Sequence, residues 1–195
     1  MKEIPDPYIG ENLEGKIEKE RMLIPIAEWA RENNHETLLR HIESSEPTDT
    51  NIGIFRENIC YDPVNKRMTL TVIPQNDMHQ GHSFDGTGIM LGGIPKVFVD
   101  VTSGALAFTA MSKKSIPLHM GGNYENSGMI IQCAVPVVIE SYFKSEPQPG
   151  DKEFIIITTV TQAGVVCVKT EDTIRILSER GASRAAKMRE NDLQM

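Results

Sequence analysis

The stretch Asp85–Met111 reads DGTGIMLGGIPKVFVDVTSGALAFTAM, and it decides the fold. Between Gly92 and Met111 the apolar residues recur with the spacing of one face of an α-helix. These residues are Ile94, Val97, Phe98, Val101, Ala105 and Phe108. Few charges lie on the opposite side, so we expect a helix that is mostly buried.

The segments on both sides of this helix have the composition of β-strands, rich in Val, Ile, Thr and aromatic residues. They are Ile52–Tyr61, Met68–Ile73, Met129–Phe143, Phe154–Val160 and Val165–Leu177. Turn residues at Asp62-Pro63, Pro149–Asp151 and Gly164 predict short, antiparallel connections. One buried helix with two strands before it and three after it predicts an α+β fold, an antiparallel sheet wrapped around one central helix.

The chain divides by composition into three parts. Residues 1–50 read as an N-terminal helical extension and linker, residues 51–180 as the main domain, and residues 181–195 as a C-terminal tail. Within the extension, residues 15–44 have helical spacing that Asn33-Asn34 interrupts, which predicts two helices. We expect the extension to pack against the domain or clasp a second copy, and a lid over a site is the alternative.

Composition excludes several classes of function. The 195 residues carry a net charge of −7 and a pI of about 5.3, which argues against nucleic-acid binding. No apolar run approaches the length of a bilayer span, and no targeting segment is evident, so we expect a cytoplasmic protein without membrane insertion. The three cysteines are widely spaced and without a CxxC pair, so neither a disulfide framework nor a cysteine-based metal site is expected.

Asp100 stands out within the predicted helix. It lies between two valines, and burying an unpaired carboxylate is costly. Gly93 stands seven residues earlier and Gly104 four residues later, so the three share one helical face. A carboxylate on that face can act as a general base or a nucleophile, although a salt-bridged or helix-pairing aspartate also fits the pattern.

Glycines cluster where the helix begins, at Gly88, Gly92 and Gly93. Glycine lets the backbone approach a ligand closely. A helix N-terminus also offers unpaired N–H donors and a partial positive charge. These residues are therefore candidates for binding a substrate and holding a developing oxyanion.

Asp85–Ala107 resembles the motif of hotdog-fold acyl-CoA thioesterases of the phenylacetate-pathway and thioesterase-superfamily-member type. The positions in register are Gly88, Gly92, Gly93, Asp100 and Gly104. The later strands and the turn at Pro149–Asp151 are also similar, so the resemblance covers residues 51–178.

The resemblance implies a hotdog fold that forms a homodimer or a dimer of dimers, with sites at the subunit interface. The amide of Gly92 or Gly93 would polarise the thioester carbonyl, and Asp100 of the partner subunit would activate water or attack the carbonyl. The implied substrate is an acyl thioester of coenzyme A or of an acyl carrier. No cofactor and no metal are implied.

Two positions depart from the motif, because Leu91 stands in place of its histidine and Asp85 in place of its asparagine. Asp85 and Asp100 facing one site would repel each other and raise one pKa, which suits acid–base chemistry. The departures therefore also support a hotdog dehydratase, isomerase or cyclase, or a non-catalytic hotdog that binds acyl ligands. A dehydratase needs a histidine near its carboxylate, and the available ones are His79, His82 and His119.

Weaker patterns have ordinary explanations beside functional ones. His79 and His82 have the spacing of a metal-binding pair without an evident third ligand, and a solvated loop fits them as well. Lys113-Lys114 could meet coenzyme A phosphates or simply be solvated. The pair Gly121-Gly122 is too isolated to indicate a phosphate loop. Several methionines could line an adaptable acyl tunnel or fill the core, namely Met90, Met111, Met120 and Met129.

Overall fold

The computed structural model describes residues 22–44, 58–75, 79–82, 88–90, 93–113, 115–178 and 180–181. The elements in chain order are β1 (Ile24–Pro25), α1 (Ile26–Glu32), α2 (Glu36–Ser44), β2 (Ile59–Asp62), β3 (Arg67–Val72), β4 (His79–His82), β5 (Gly88–Met90), α3 (Ile94–Ala110), β6 (Ser115–Asn126), β7 (Val137–Phe143), β8 (Glu153–Gln162) and β9 (Val165–Ser178).

The main sheet has seven antiparallel strands in the order β1-β2-β3-β7-β8-β9-β6, and β4 and β5 form a separate two-stranded ribbon. Helix α3 packs against β3, β7, β8, β9 and β6. The prediction of an α+β fold with an antiparallel sheet around one central helix is therefore confirmed.

The core lies between α3 and the sheet. Phe98 and Leu106 on α3 are fully buried, and they share the core with fully buried Leu70, Ile139 and Ile156 from the middle strands. Each such side chain contributes about 1.5–3 kcal/mol when it leaves water, so this face fixes the rotation of α3 about its own axis.

That rotation leaves one stripe of α3 exposed, at Lys96, Val97 and Asp100. The expectation that Asp100 is buried is therefore wrong, since 61% of its side-chain surface is accessible. The helical period was read correctly, but the apolar face is narrower than the sequence suggests because Val97 lies outside it.

The N-terminal helices pack into the same core. Ile26 and Ala30 on α1 and Leu38 on α2 are fully buried, and β1 extends the sheet by pairing with β2. The Trp29 ring lies edge-on to the Tyr61 ring, with 5.2 Å between centroids. These contacts attach residues 24–44 to the sheet.

Two helices were predicted over residues 15–44, and the structure places them at Ile26–Glu32 and Glu36–Ser44. The break falls at Asn33-Asn34, where Asn34 has a φ of 50°, a conformation that asparagine tolerates better than most residues. Residues 22–25 are not helical, whereas residues 15–21, the linker at 45–50 and the tail at 182–195 lie outside the described residues.

The strand predictions are confirmed for β3, β8 and β9, and the β8–β9 turn has positive φ at Ala163 and Gly164. The long strand predicted from Met129 is wrong in its first half, because β7 begins only at Val137 and Ala134 has a φ of 61°. Of the strand predicted at Ile52–Tyr61, residues 52–57 lie outside the described part of the chain, and β2 occupies Ile59–Asp62.

Strand β6 was missed. It is 12 residues long and forms one edge of the sheet. Gly121, Gly122, Asn123 and Asn126 interrupt its pattern, and these residue types are depleted in strands. Its pairing with β9 outweighs that propensity.

Candidate functional site

The candidate site is built around Asp100, whose neighbour across the groove between α3 and β6 is His119. The His119 Nδ1 atom lies 3.5 Å from Asp100 Oδ1, and the His119 Nε2 atom lies 3.0 Å from Asp172 Oδ1. The imidazole therefore stands between two carboxylates that come from α3 and β9.

Asp172 is the inner member of this group, with only 7% of its side-chain surface exposed. Its Oδ2 atom accepts a 2.6 Å hydrogen bond from the Thr170 hydroxyl, and Thr170 is itself buried. A buried carboxylate needs such partners, because desolvation penalises its charge. The strand period places both side chains on the inner face of β9, beside buried Ile174.

A β-bulge in β6 makes room for Asp172. His119 pairs with Ile174 and Gly122 with Asp172, so two residues of β6 face one residue of β9. A Cβ atom at Gly122 would lie 2.6 Å from Asp172 Oδ1 and 2.7 Å from Asp172 Cα, so no side chain fits there. Of the glycine pair in this strand, Gly122 leaves the space that Asp172 occupies, and Gly121 has a φ of 102°, which favours glycine.

Asp100 and His119 border a cavity of about 200 Å³ between α3, β6 and β9. The remaining lining residues are Ser103, Gly104, Phe108, Ile116, Pro117 and Ile174. A Cβ atom at Gly104 would meet nothing within 4 Å, so glycine leaves this wall open. The cavity is smaller than the pockets that enclose drug-sized ligands, and it has the size to hold the reacting end of a longer molecule.

The pKa of Asp100 is raised above its ordinary value of 3.8, mainly because the helix and sheet around the carboxyl group remove water from it. The charge of Asp172 raises this pKa further, whereas His119 and Lys96 lower it. The side chain remains reachable from solvent, so the carboxyl group combines access with a pKa displaced towards the range of a general base.

The start of α3 is open. Gly93 is the N-cap residue, no side chain caps the first turn, and that turn contains no acidic residue. A Cβ atom at Gly93 would meet nothing within 4 Å. The N–H groups and the positive end of the helix dipole are thus available to a carbonyl oxygen or an anion. Gly92, Leu91 and Asp85 lie outside the described residues.

Gly93 and Asp100 do not meet within one chain. Seven residues of helix separate them, which amounts to about 10 Å along the axis. Gly88 is buried in β5, where its carbonyl accepts a 2.8 Å hydrogen bond from the Cys133 N–H. The contact that the structure gives for the Gly88 carbonyl is thus a backbone hydrogen bond that links β5 to Cys133.

The weaker candidates have varied positions. Lys113 is exposed and lies beyond the opposite end of α3 from Gly93, about 25 Å away along the axis. The side chains of His79 and His82 lie outside the described residues. In the part of the chain that the structure describes, no group of three or more His, Cys, Asp and Glu side chains could hold a metal ion.

A second cavity of about 570 Å³ lies at the C-terminal end of α3. Its walls include Met111, Tyr61, Phe143 and Phe154. Met90 is buried in the core, whereas Met120 and Met129 are exposed, so of the methionines named from the sequence only Met111 lines this cavity.

Sequence reasoning named Asp100 and counted His119 among three possible histidines, but it missed Asp172 and Thr170. A signal was present in β9. Val168, Thr170, Asp172 and Ile174 alternate with Lys169, Glu171 and Thr173, so the two polar residues share a face with two apolar ones. A carboxylate on the inward face of a strand indicates a candidate site residue as clearly as a carboxylate in a buried helix does.

Comparison with known proteins establishes the fold. No family model and no curated protein matches this sequence. A thioesterase family protein from Silicibacter pomeroyi superposes with a TM-score of 0.55 at 15% identity, over 74% of this chain and 98% of that protein. A phenylacetic acid degradation-related protein from Ralstonia eutropha JMP134 gives a TM-score of 0.54 at 11% identity, over 71% of this chain and 98% of that protein. The chain has the hotdog fold.

Among the described helices, none combines the length and the apolar character that crossing a membrane requires.

Proposed function

We propose that this protein hydrolyses acyl thioesters of coenzyme A or of an acyl carrier. Asp100 serves as general base or nucleophile, Asp85 is a second carboxylate of the site, and the backbone at Gly92 and Gly93 binds the oxyanion. The observation that carries the proposal is a reachable carboxylate on the central helix of a hotdog fold, at the edge of a cavity.

The chemistry needs a base and an oxyanion hole on opposite sides of one thioester carbonyl. With Asp100 as base, its carboxylate takes a proton from water as the oxygen attacks the carbonyl carbon. Negative charge then develops on the carbonyl oxygen, where N–H donors at a helix start stabilise it. Collapse of the tetrahedral intermediate breaks the C–S bond and releases the thiol and the acid.

Two copies of the chain are needed to complete the site. Donors and base must both lie about 3 Å from the reacting atoms, yet Gly93 and Asp100 of one chain are separated by two helical turns. We therefore place the oxyanion hole on one subunit and Asp100 on the other, in a homodimer or a dimer of dimers.

The test is thiol release from a panel of acyl-CoA and acyl-carrier thioesters, measured with a thiol-reactive dye. Asp100→Asn removes the base and keeps the side-chain size, so kcat should fall about 100-fold or more. Glu36→Gln removes one charge from an exposed position on α2 and is the matched control.

Unchanged kcat in Asp100→Asn, with a cooperative melting transition that shows a folded variant, would show that the base is another group. Absence of thiol release from every thioester, by wild-type protein that is folded, would refute the proposed activity.

The His119–Asp100 pair favours a second candidate, a dehydratase or isomerase acting on an acyl thioester. The imidazole lies beside the carboxylate, although Leu91 occupies the motif position of histidine. Mass spectrometry separates the two reactions, because dehydration removes 18 Da (about the mass of one water) from the acyl chain and leaves the thioester intact, whereas hydrolysis releases the carrier.

A further inference from the structure

We propose that His119 and Asp172 form a catalytic dyad that passes a proton between Asp100 and the departing thiol. This inference rests on the proposed hydrolysis and adds a role that the hotdog motif of Asp85–Ala107 does not contain. In this geometry one imidazole nitrogen lies next to the buried Asp172 carboxylate, and the other lies 3.5 Å from Asp100, which lines the cavity together with His119.

The burial of Asp172 supports an orienting role. Its side chain is almost completely enclosed, with Thr170 donating to one oxygen and His119 Nε2 next to the other. A carboxylate in that position selects the tautomer in which Nε2 carries the proton, which leaves Nδ1 as the basic nitrogen. Nδ1 is the nitrogen that faces Asp100.

The bulge in β6 is the second argument, because it is expensive to keep. It leaves two residues of the strand facing one residue of β9 and requires a residue without a side chain at Gly122. The result of that distortion is space for Asp172 beside His119.

The charges around the imidazole come from each element packed against it. Asp100 and Lys96 lie on α3, and Asp172 and the Thr170 hydroxyl lie on β9. Lys96 Nζ lies 5.1 Å from the centroid of the Tyr124 ring on β6. Two carboxylates therefore flank one imidazole, one beside each ring nitrogen.

The proton steps balance as follows. Asp100 takes one proton from the attacking water and hands it to His119 Nδ1, which makes the ring an imidazolium. The C–S bond then breaks, the thiolate sulfur takes the proton from Nδ1, and the ring returns to its neutral form. Asp172 holds the ring in place throughout.

Turnover measurements test the catalytic part. His119→Gln keeps an amide nitrogen near the Nε2 position but cannot carry a proton, and Asp172→Asn keeps the size of the orienting group. We expect each to lower kcat at least about 10-fold with little change in KM, and to remove one limb of the pH profile. Glu171→Gln, on the opposite face of the same strand, is the control and should keep the wild-type profile.

Nitrogen-15 NMR of the imidazoles tests the dyad without turnover, with the His119→Gln spectrum identifying the resonances. We expect neutral His119 as the Nε2–H tautomer in wild-type protein and a tautomer mixture in Asp172→Asn. The Nδ1–H tautomer in wild-type protein, or a wild-type pH profile in folded Asp172→Asn, would overturn the proposal. Failure of the hydrolysis itself would be seen as absent thiol release by wild-type protein, so the two failures are distinguishable.

Discussion

At the scale of the residue, folding disfavours the charged form of Asp100, because it removes water from the carboxyl group. Desolvation is the largest influence on its pKa, and the attraction of His119 and Lys96 does not cancel it. Folding therefore raises the pKa of this carboxyl group, because the charged form loses more hydration than its partners restore. Catalytic groups commonly lie in such environments, because the perturbation that costs stability adjusts their chemistry.

A stability prediction follows for Asp100→Asn. Because the pKa of Asp100 is raised on folding, its contribution to the free energy of unfolding is fully present below the unfolded pKa near 3.8 and is lost as pH rises through the folded pKa. The amide mimics the neutral form, so the variant should melt about 1–3 °C above wild-type protein at pH 8, a small gain because solvent screens an exposed group.

The measurement is calorimetry of both proteins between pH 4 and pH 8. The gain should shrink as the pH falls, because protonation of the wild-type carboxyl group makes it resemble the amide. A variant that melts lower than wild-type protein at pH 8 would contradict the assigned sign.

Replacing Gly104 by alanine should raise the stability of the protein and weaken substrate binding. It occupies the interior of α3, where glycine is less favourable than alanine by about 1 kcal/mol, and an added Cβ meets no atom within 4 Å. Gly104→Ala should therefore raise the free energy of unfolding by about 0.5–1 kcal/mol.

The same methyl group narrows the cavity beside Asp100, so KM for thioesters should rise. Denaturant unfolding and steady-state kinetics on one preparation check both effects. Higher stability with unchanged KM would show that the substrate does not contact the cavity wall at Gly104.

At the scale of the element, the bulged strand β6 is the piece on which the site depends. It carries His119, and the absence of a side chain at Gly122 leaves room for Asp172. Helix α3 supplies Asp100 on a face fixed by buried Phe98 and Leu106. The site therefore depends on how α3 and the bulged strand β6 are placed relative to each other.

Gly122→Ala should disturb the packing of β6 against Asp172 of β9. The new Cβ would lie 2.7 Å from Asp172 Cα, which is backbone and cannot move aside alone. We expect a loss of about 1–3 kcal/mol in the free energy of unfolding, together with lower kcat. Asn123→Ala, an exposed change on the same strand, should cost little. Equal stability of the two variants would show that β6 can adopt another register.

The elements differ in how well the sequence predicts them. Helix α3 is predictable because apolar period and an N-terminal glycine pair agree, whereas β6 is hidden because its own glycines and asparagines oppose a strand and only the β9 ladder enforces it. Asp100 is predictable as a charge among valines. Asp172 is harder to single out, because only the alternation along β9 indicates that it faces inward, and Glu171 beside it carries the same charge.

At the scale of the whole molecule, the separation of Gly93 from Asp100 makes association a requirement of the proposed chemistry. One face of α3 is committed to the sheet, and the stripe at Lys96, Val97 and Asp100 is exposed in the single chain. A second copy would bring its own helix start to that stripe.

Complementation between two inactive variants tests this requirement. Gly93→Asp places a carboxylate at the N-cap, where it favours the helix but opposes an oxyanion. Asp100→Asn removes the base. In a two-fold dimer, co-expression of both variants yields heterodimers in which one of two sites is intact, so activity should recover to about a quarter of the wild-type value.

Separate tags on the two variants allow the heterodimer to be purified. A purified heterodimer with no recovered thiol release, or a monomer by light scattering with full activity, would exclude a site shared between subunits.

The kink in β6 has a consequence for solubility as well. A strand of 12 residues at the margin of a sheet is a ready template for fibrillar growth. The extra residue at Met120-Gly121 breaks the straight row of backbone donors and acceptors into two shorter runs. A regular strand from another molecule can pair with only one of these runs at a time. The bulge that makes room for Asp172 therefore also opposes edge-to-edge aggregation.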